Sequence, residues 1–297
     1  MAHHHHHHMF EFDGKVAVIT GAGSGFGRAF AEKGASLGMK LVLADVDEGA
    51  LARTVDTLRA AGAEVIGVRT DVSNGAQVQA LADAALEAFG KVHLLFNNAG
   101  VGAGGFLWES SANDWAWVFG VNVMGVAHGV RVFAPIMLGQ NEAAHIVNTA
   151  SVAGLLSPPS MGIYNASKHA VVSLTETLYH DLRNAGGEVG CSLLCPAFVP
   201  TGIADAERVR PEALRNEAQP TRSQLAADRQ LQRAVRSGKL GATDVATLTF
   251  EAIAERRFYI LTHPAILATV RLRHEDIELQ RNPTDPLSLK PEVKEAR

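Results

Sequence analysis

Short apolar runs rich in β-branched residues alternate with longer amphipathic stretches along almost the whole of this 297-residue chain. Runs of the first kind have the length and composition of buried strands, and the stretches between them repeat with a helical period. The predicted strands are residues 15–20, 40–45, 64–71, 92–99, 144–151, 189–196 and 258–262. The predicted helices are residues 25–37, 47–61, 74–89, 111–138, 163–184 and 243–254, with polar helical material between the sixth strand and about residue 238.

This alternation predicts an α/β fold built on a doubly wound parallel sheet with helices on both faces. A parallel strand can follow another only after a crossover, and a helix is the usual crossover. Apolar runs such as IVNTA (146–150) and CSLLC (191–195) fit strands that are buried on both faces. In such sheets ligands bind beyond the carboxyl ends of the strands, so the residues that follow each strand are the first candidates for function.

The chain is predicted to form one domain. Residues 1–8 read MAHHHHHH and are an expression tag, and no long Pro-, Ser- or Gly-rich linker divides residues 9–297. Residues 201–240 are polar and helical in pattern. We expect them to form a lid over the substrate, the alternative being a solvated helical surface.

Charge and hydropathy exclude several classes of partner. The formal net charge is −4 and no basic cluster stands out, so a nucleic-acid partner is not expected. The apolar strand runs are far shorter than the roughly 20 residues of a membrane-crossing helix, and no signal peptide follows Met9, which favours a cytoplasmic protein without a membrane partner. Cys191 and Cys195 would lie about 13 Å apart on one strand, too far to form a disulfide. The histidines outside the tag make no metal-binding motif, so no metal is expected.

A glycine-rich segment, TGAGSGFG, occupies residues 20–27 between the first strand and the first helix. Its glycines let the chain turn tightly and bring backbone N–H groups against a phosphate, and the helix amino terminus adds partial positive charge. The pattern G-x-G-x-x-G fails because Phe26 stands at its last position, and alone the segment could be a plain tight turn. It does fit the spacing Thr-Gly-x-x-x-Gly-x-Gly, with Gly21, Gly25 and Gly27, and we expect it to hold a dinucleotide pyrophosphate.

The second strand ends at Asp45, 24 residues after Gly21. A carboxylate there can accept hydrogen bonds from both ribose hydroxyls of a dinucleotide and would repel a 2′-phosphate. The glycine-rich segment holds no cation before Arg28, and Val46 follows Asp45 where a cation could have met that phosphate. The sequence therefore favours NAD over NADP, although Asp45 could instead cap the helix that follows.

Further motifs follow later strands: NNAG at residues 97–100, Ser151 after the fifth strand, and YNASK at residues 164–168 at the start of the next helix. With the glycine-rich segment, in this order and spacing, they resemble the short-chain dehydrogenase/reductase family over residues 15–201. The resemblance implies one Rossmann-like domain with all seven strands parallel in the order 3-2-1-4-5-6-7 and a nicotinamide cofactor. It also implies a homo-oligomer, a dimer or tetramer, formed through the long helices.

The resemblance implies a set of cofactor-binding positions as well. In the family NNAG supports the adenine-side loop and the central strand, the residue matching Asp71 contacts adenine, and a segment Pro-Gly-x-Val-x-Thr holds the nicotinamide. Here that segment is PAFVPT (196–201), so Ala197 replaces the glycine and would be strained if its φ were positive. Thr201 could equally be a helix cap. The full predicted set is Gly21, Ser24, Gly25, Phe26, Gly27, Asp45, Asp71, Val72, Asn98, Ala99, Gly100, Tyr164, Lys168, Pro196, Val199 and Thr201.

The predicted chemistry rests first on a tyrosine and a lysine. Moving a hydride to or from an alcohol carbon also requires a proton to leave or reach the oxygen. Lys168 lies one helical turn after Tyr164 on the same helix face, and its ammonium is expected to lower the pKa of the phenol. Tyr164 is therefore the predicted acid/base, and by resemblance Lys168 also bonds the nicotinamide ribose.

Two further residues complete the predicted catalytic set. Ser151, at the end of the fifth strand, is expected to donate a hydrogen bond to the substrate oxygen. By resemblance Asn122 supports a water and proton relay toward Lys168, and an Asn beside Gly125 is in any case poor chemistry for an apolar helix. Each residue taken singly could have a purely structural role, as a packed Tyr, a snorkelling Lys, a turn-capping Ser or a buried Asn.

The predicted substrate pocket is apolar. Its residues are Phe106, Trp108, Val152, Leu155, Met161 and Phe198. The absence of Lys and Arg from this set predicts an apolar secondary alcohol or ketone as substrate, although such residues are often core and arginines of the segment 208–215 could still reach in. The leading hypothesis is an NAD-dependent oxidoreductase. The alternatives are an NADP-dependent carbonyl reductase and a dinucleotide-binding regulatory protein without useful catalysis.

Overall fold

Seven strands form one parallel sheet in the order β3-β2-β1-β4-β5-β6-β7, which confirms both the predicted fold class and the predicted strand order. The structure is a computed structural model that describes residues 9–197, 202–237 and 240–289. The strands are β1 (Val16–Thr20), β2 (Lys40–Asp45), β3 (Val65–Arg69), β4 (Leu94–Asn97), β5 (Ala144–Thr149), β6 (Val189–Cys195) and β7 (Tyr259–Leu261). β1 pairs with both β2 and β4, so the strand order reverses at the centre of the sheet, where ligands of such folds bind.

Helices cover both faces of the sheet. They are α1 (Gly25–Ser36), α2 (Glu48–Ala60), α3 (Gly75–Phe89), α4 (Ala112–Phe119), α5 (Gly125–Gly139), α6 (Gly162–Ala185), α7 (Arg222–Ser237), α8 (Ala242–Glu255) and α9 (Leu267–Glu278). Alternate residues of β1 enter different cores: Ile19 packs with Phe30 of α1 and Phe250 of α8, and Val18 packs with Phe133 of α5. Burial on both sides explains why the central strands are continuously apolar.

A π-helical turn, Gly120–Met124, joins α4 to α5, so that one helical stretch runs from Ala112 to Gly139. Within the described residues this stretch alone is long and apolar enough to cross a membrane by length and composition, which the sequence analysis did not anticipate. Here it packs as a core helix, because Val118 and Phe133 are fully buried against the rest of the fold.

The structure departs from the predictions mainly near the carboxyl terminus. Helix α9 was not predicted, because its apolar side chains do not gather on one face and the helical period is weak. The segment before α7, predicted as polar helical material, forms two 3-10 turns, Gly202–Val209 and Glu212–Leu214, ahead of that helix. Cys191 and Cys195 are buried free thiols on β6, as predicted.

Candidate active site

A cavity of about 1040 Å³ opens at the carboxyl edge of the sheet. It brings together most of the predicted cofactor set, which comes from five strand ends and the start of α6. Those that line it are Gly21, Ser24, Gly25, Phe26, Asp45, Asp71, Val72, Asn98, Ala99, Gly100, Tyr164, Lys168 and Pro196. Val199 and Thr201 lie outside the described residues.

The glycine-rich turn is shaped by positions that only glycine tolerates well. Gly21 and Gly25 have positive φ angles of 65° and 54°. Gly27 lies beneath the turn and does not line the cavity: a Cβ built there would lie 2.1 Å from the carbonyl oxygen of Gly21. Its role is thus to let α1 approach the turn closely.

The amino terminus of α1 faces the cavity in a form suited to an anion. In this described part of the chain Ser24, the N-cap, makes no side-chain capping bond, and the first turn of α1 holds no acidic residue. Backbone N–H groups at a helix start attract negative charge, and here neither a capping side chain nor a carboxylate competes for them. The turn therefore fits a pyrophosphate.

Asp45 closes the cavity at the end of β2. Its Oδ2 accepts a hydrogen bond from the Gly23 N–H at 2.8 Å and its Oδ1 accepts from the Asp47 N–H at 2.9 Å. Burial raises the pKa of the Asp45 carboxyl above its usual value, and these backbone bonds oppose the rise. Asp45 does not cap α2, the alternative role that its sequence position allowed. Asp47 is the N-cap of that helix and accepts a hydrogen bond from the Ala50 N–H at 3.1 Å.

A positively charged side chain lies beside Asp45, although it is distant from Asp45 in the sequence. Arg208, more than 160 residues later in the chain, places its Nη2 2.7 Å from Oδ2 of Asp47 and also lines the cavity. That contact holds the pKa of Asp47 below its usual value. A cation therefore lies near Asp45 although none adjoins it in the sequence.

The NNAG motif ties three central strand ends together. The Thr20 hydroxyl oxygen accepts from the N–H groups of Asn98, at 2.9 Å, and Ala99, at 3.1 Å. The Thr149 hydroxyl donates to Oδ1 of Asn98 at 3.1 Å. Because Thr20 ends β1 and Thr149 ends β5, these bonds hold the cavity floor in place.

Asp71, the predicted adenine contact, follows β3. Its Oδ1 accepts from the backbone N–H of Ser73 at 3.0 Å and from the Ser73 hydroxyl at 2.6 Å. Val72 lies beside it on the cavity wall, and its methyl groups press against Gly125, where a Cβ would lie 2.6 Å away. Both residues therefore lie on the cavity wall, and their contact with the cofactor stays a prediction.

Tyr164, Lys168 and Ser151 meet on one wall. The Nζ atom of Lys168 lies 5.6 Å from the centroid of the Tyr164 ring and donates a hydrogen bond to the Thr149 carbonyl at 3.2 Å. The Ser151 hydroxyl donates to the Pro196 carbonyl at 3.4 Å and lies close enough to Tyr164 to act on the pKa of its phenol. Tyr164 is partly exposed toward the cavity, whereas Lys168 is 3% exposed. The spacing along α6 thus brings phenol and ammonium together as predicted.

The electrostatics of this group differ from the expectation. Burial raises the pKa of Tyr164 to about 12, and the hydrogen bond from Ser151 opposes the rise only in part. Burial also lowers the pKa of Lys168 to about 8. The expected lowering of the Tyr164 pKa is therefore not found in the protein alone, because desolvation of the phenolate is the largest cause of the shift.

Asn122 lies on the π-helical turn rather than in regular α-helix. Its Oδ1 accepts from the Val101 N–H at 2.8 Å, and its Nδ2 donates to the Val101 carbonyl at 2.8 Å and to the Ser167 hydroxyl at 3.0 Å. A Cβ built on Gly100 would lie 3.5 Å from both Asn122 Oδ1 and Lys168 Nζ, so the two side chains are near neighbours. Both polar atoms of the Asn122 side chain therefore make hydrogen bonds that hold the backbone at Val101 against α6.

Only some of the residues predicted for the substrate pocket line the cavity. Val152 and Met161 line the cavity. Phe106 and Trp108 do not: they stack on each other at 5.1 Å and are 48% and 81% exposed, because loop 102–109 turns them outward. Leu155 packs into a core cluster around α6 instead. Phe198 lies outside the described residues.

The segment before α7 and α7 itself form the outer wall. Val209, Pro211, Leu214 and Leu231 contribute apolar side chains to it. Helix α7 lies very close to loop 102–109, since a Cβ on Gly104 would come within 2.7 Å of the Ala227 side chain. These residues line the cavity rather than lying only on a solvated surface. Their role as a lid over the substrate stays a prediction.

Sequence reasoning missed several residues that line the cavity, two of them aromatic. Trp117 of α4 lines it, and so does His263, which follows β7. The position of His263 just after a predicted strand was a usable signal, whereas Trp117 looked like an ordinary helix core residue. Ala197, where the family has glycine, is not among the described residues with positive φ, so its methyl group causes no backbone strain.

Within the described ranges no group of three or more His, Cys, Asp or Glu residues is placed to hold a metal ion. The site is a cleft lined by the glycine-rich turn, the carboxylate of Asp45 and a Ser, Tyr and Lys group. A glycine-rich turn and a carboxylate at the carboxyl ends of parallel strands are typical of dinucleotide-binding α/β proteins.

Comparison with known proteins supports the same class of protein. Residues 15–211 match the family model described as short chain dehydrogenase. The chain is 39% identical over 259 residues to a CLA biosynthesis dehydrogenase/reductase of Lactiplantibacillus plantarum, covering 86% of this chain and 90% of that protein. It is 34% identical over 274 residues to a 1-deoxy-11-beta-hydroxypentalenate dehydrogenase of Streptomyces exfoliatus, covering 92% and 90%.

A solved 3-ketoacyl-(acyl-carrier-protein) reductase of Brucella melitensis, complexed with NADH, superposes with a TM-score of 0.70 at 28% identity, over 84% of this chain and 97% of that one. The chain belongs to the short-chain dehydrogenase/reductase family, whose members use nicotinamide cofactors. It is an oxidoreductase that acts on CH–OH groups of small molecules.

Proposed function

We propose that this protein transfers a hydride between NAD(H) and the carbinol or carbonyl carbon of an apolar secondary alcohol or ketone. The observation that carries the proposal is the grouping of Ser151, Tyr164 and Lys168 on one wall of the cavity that the glycine-rich turn and Asp45 also line. The remaining apolar wall residues support an apolar substrate.

Tyr164 is the general acid/base. In oxidation its phenolate oxygen takes the proton of the substrate hydroxyl, and in reduction its phenol returns a proton to the substrate oxygen. Ser151 donates a hydrogen bond to the same oxygen and stabilises the charge that develops there. Lys168 favours the phenolate with its positive charge. The nicotinamide supplies the hydride acceptor or donor and, when oxidised, a further positive charge.

The other residues hold this group in place. Asn122 is a positioning residue, because it fixes the Val101 backbone and Ser167 next to Lys168. Lys168 binds the nicotinamide ribose, and residues 201–240 act as a lid that excludes water from the reacting atoms. In this role the lid would also limit the rate of product release.

NAD is the preferred cofactor in this proposal. The carboxylate of Asp45 accepts hydrogen bonds from the adenosine ribose and repels a 2′-phosphate. One observation favours the second candidate, an NADP-dependent reductase: the Arg208 guanidinium lies against Asp47 within reach of this end of the cavity. Its pairing with Asp47 reduces the charge it can offer to a phosphate, so NAD stays the first choice.

The proposal is tested by fluorescence titration of the protein with NADH and with NADPH, followed by a panel of secondary alcohols and ketones with each cofactor. We expect NADH to bind at least about tenfold more tightly, a difference of about 1.4 kcal/mol. Asp45→Asn should reduce that preference, and Asp56→Asn, on the outer part of α2, serves as the matched control. Tighter binding of NADPH would overturn the cofactor assignment, and no turnover with any substrate would overturn the chemistry.

A further inference from the structure

His263 stands at the cavity wall on the side away from the dinucleotide groove. It follows β7, the edge strand of the sheet, and pairing of Cys195 with Leu261 sets the ends of β6 and β7 side by side. The groove centres on β1 and β4, where the strand order reverses. His263 therefore faces the part of the cavity that the proposed function assigns to substrate.

A short chain of hydrogen bonds connects His263 to the predicted nicotinamide segment. The Ala197 N–H donates to the Thr262 hydroxyl oxygen at 3.2 Å, and that hydroxyl lies 2.7 Å from Nδ1 of His263. Ala197 adjoins Pro196, whose carbonyl accepts hydrogen bonds from the Ser151 hydroxyl at 3.4 Å and from the Val152 N–H at 3.0 Å. The histidine is thus fixed relative to the catalytic serine.

This chain accommodates a neutral ring that carries its hydrogen on Nε2. A backbone N–H can only donate, so the Thr262 oxygen accepts from Ala197 and has its own hydrogen left to give. When the Thr262 hydroxyl donates this hydrogen to Nδ1 of His263, the neutral imidazole carries its own hydrogen on Nε2. Burial lowers the pKa of His263, which supports the neutral ring. A neutral imidazole in this tautomer presents one N–H donor.

The chain neighbours of that donor on the wall are apolar, because Ala265 and Ile266 follow His263 there. Helix α7 adds apolar Leu231 and polar Gln230 to the same cavity. The reacting oxygen of the substrate is already served by Ser151 and Tyr164. A donor held in a fixed orientation beside apolar residues discriminates between ligands that do and do not offer an acceptor.

We propose that His263 is a substrate-binding residue whose Nε2–H donates to a second oxygen of the substrate, remote from the reacting carbon. The substrate class is therefore an apolar secondary alcohol or ketone that carries a further carbonyl, carboxylate or ether oxygen. This inference rests on the proposed function, because it places the reacting carbon at Tyr164.

The test compares two neutral ketones of equal chain length, 2-octanone and 2,7-octanedione. Their dissociation constants are measured by calorimetry with NAD⁺ present, since oxidised cofactor cannot reduce either ketone. We expect the dissociation constant of the dione to be about tenfold lower than that of 2-octanone, in addition to the factor of about two that the symmetry of the dione provides. In His263→Leu the ratio should fall to about two.

Two further variants separate recognition from structure. Thr262→Val removes the hydroxyl that orients the ring and should also reduce the ratio, whereas Thr262→Ser keeps the hydroxyl and should restore it. His274→Leu changes an exposed histidine of α9 and is the matched control. A wild-type ratio of about two, or weakening of both ketones equally in His263→Leu, would overturn the role of His263.

Failure of the proposed function would look different. In that case no alcohol or ketone would be turned over with NAD(H) or NADP(H), whatever the ratio of the two dissociation constants. A ratio of about two in an enzyme that reduces both ketones would remove the second-oxygen subsite while leaving the oxidoreductase chemistry intact.

Discussion

Arg210 and Asp114 form a buried ion pair, with Nη2 of the arginine 2.8 Å from Oδ1 of the aspartate and side chains only 4% and 6% exposed. The guanidinium also lies over the Trp117 ring, 4.6 Å from its centroid, and donates to the Leu214 carbonyl. Asp114 is part of the capping box of α4. One interaction therefore fastens the outer cavity wall to the helix that carries Trp117.

Arg210→Met should destabilise the protein by about 3 kcal/mol, because it leaves the Asp114 carboxylate buried without its partner. The free energy of unfolding in urea measures this. Arg215→Met is the matched control, since Arg215 pairs with Glu212 at the surface, and it should cost less than about 1 kcal/mol. Equal losses in both variants would show that the buried pair does not anchor the wall.

Tyr164→Phe should lower kcat by about 10²–10⁴-fold, since it removes the group that exchanges a proton with the substrate oxygen. NADH should still bind, which fluorescence titration checks. Tyr179→Phe on the same helix is the control: its ring packs against Phe258, away from the cavity, so kcat should stay near the wild-type value. Retained turnover in Tyr164→Phe would remove the tyrosine from the mechanism.

Acid should destabilise the fold through His145. Burial lowers the pKa of His145 to about 3, so the folded protein keeps it neutral while the unfolded chain takes up a proton below about pH 6.5. The unfolded state binds more protons there, and stability must fall as the pH falls. Between pH 7 and pH 5 this group alone should cost about 2 kcal/mol.

Urea unfolding at both pH values measures that loss. His145→Gln carries no titrating group and should lose correspondingly less between pH 7 and pH 5, whereas His180→Gln, at an exposed position of α6, should behave as the wild type. If all three proteins showed the same loss, the buried imidazole would not be the cause.

Gly27→Ala should lower the free energy of unfolding by about 2 kcal/mol or more and weaken NADH binding, because its Cβ would meet the Gly21 carbonyl oxygen. Gly139→Ala tests the effect of the same change in open space, since nothing lies within 4 Å of a Cβ there. That helix position should gain up to about 1 kcal/mol. Tolerance of alanine at residue 27 would mean that the turn can move away from α1.

Local patterns were sufficient for the fold. The glycine-rich turn, Asp45 and the pair of Tyr164 and Lys168 are each specified within one or two adjacent elements, so spacing alone could place them. The predicted strand bounds lie within two residues of the observed ones, and those of β2 match at both ends, whereas α9 was missed because its apolar residues have no helical period. The oligomeric state and the cellular location stay predictions.

Contacts between residues that are distant in the sequence could not be predicted from local patterns. The sequence by itself determined the alternation of strands and helices, the glycine-rich turn and the positions of the Ser, Tyr and Lys group, because each depends on short-range spacing, whereas the strand order was expected only from the family resemblance. Only the tertiary structure decided that Phe106 and Trp108 face outward, that Arg208 reaches Asp47 and that His263 joins the wall. It also decided the pKa of Tyr164, because desolvation depends on what all the other elements pack around the phenol.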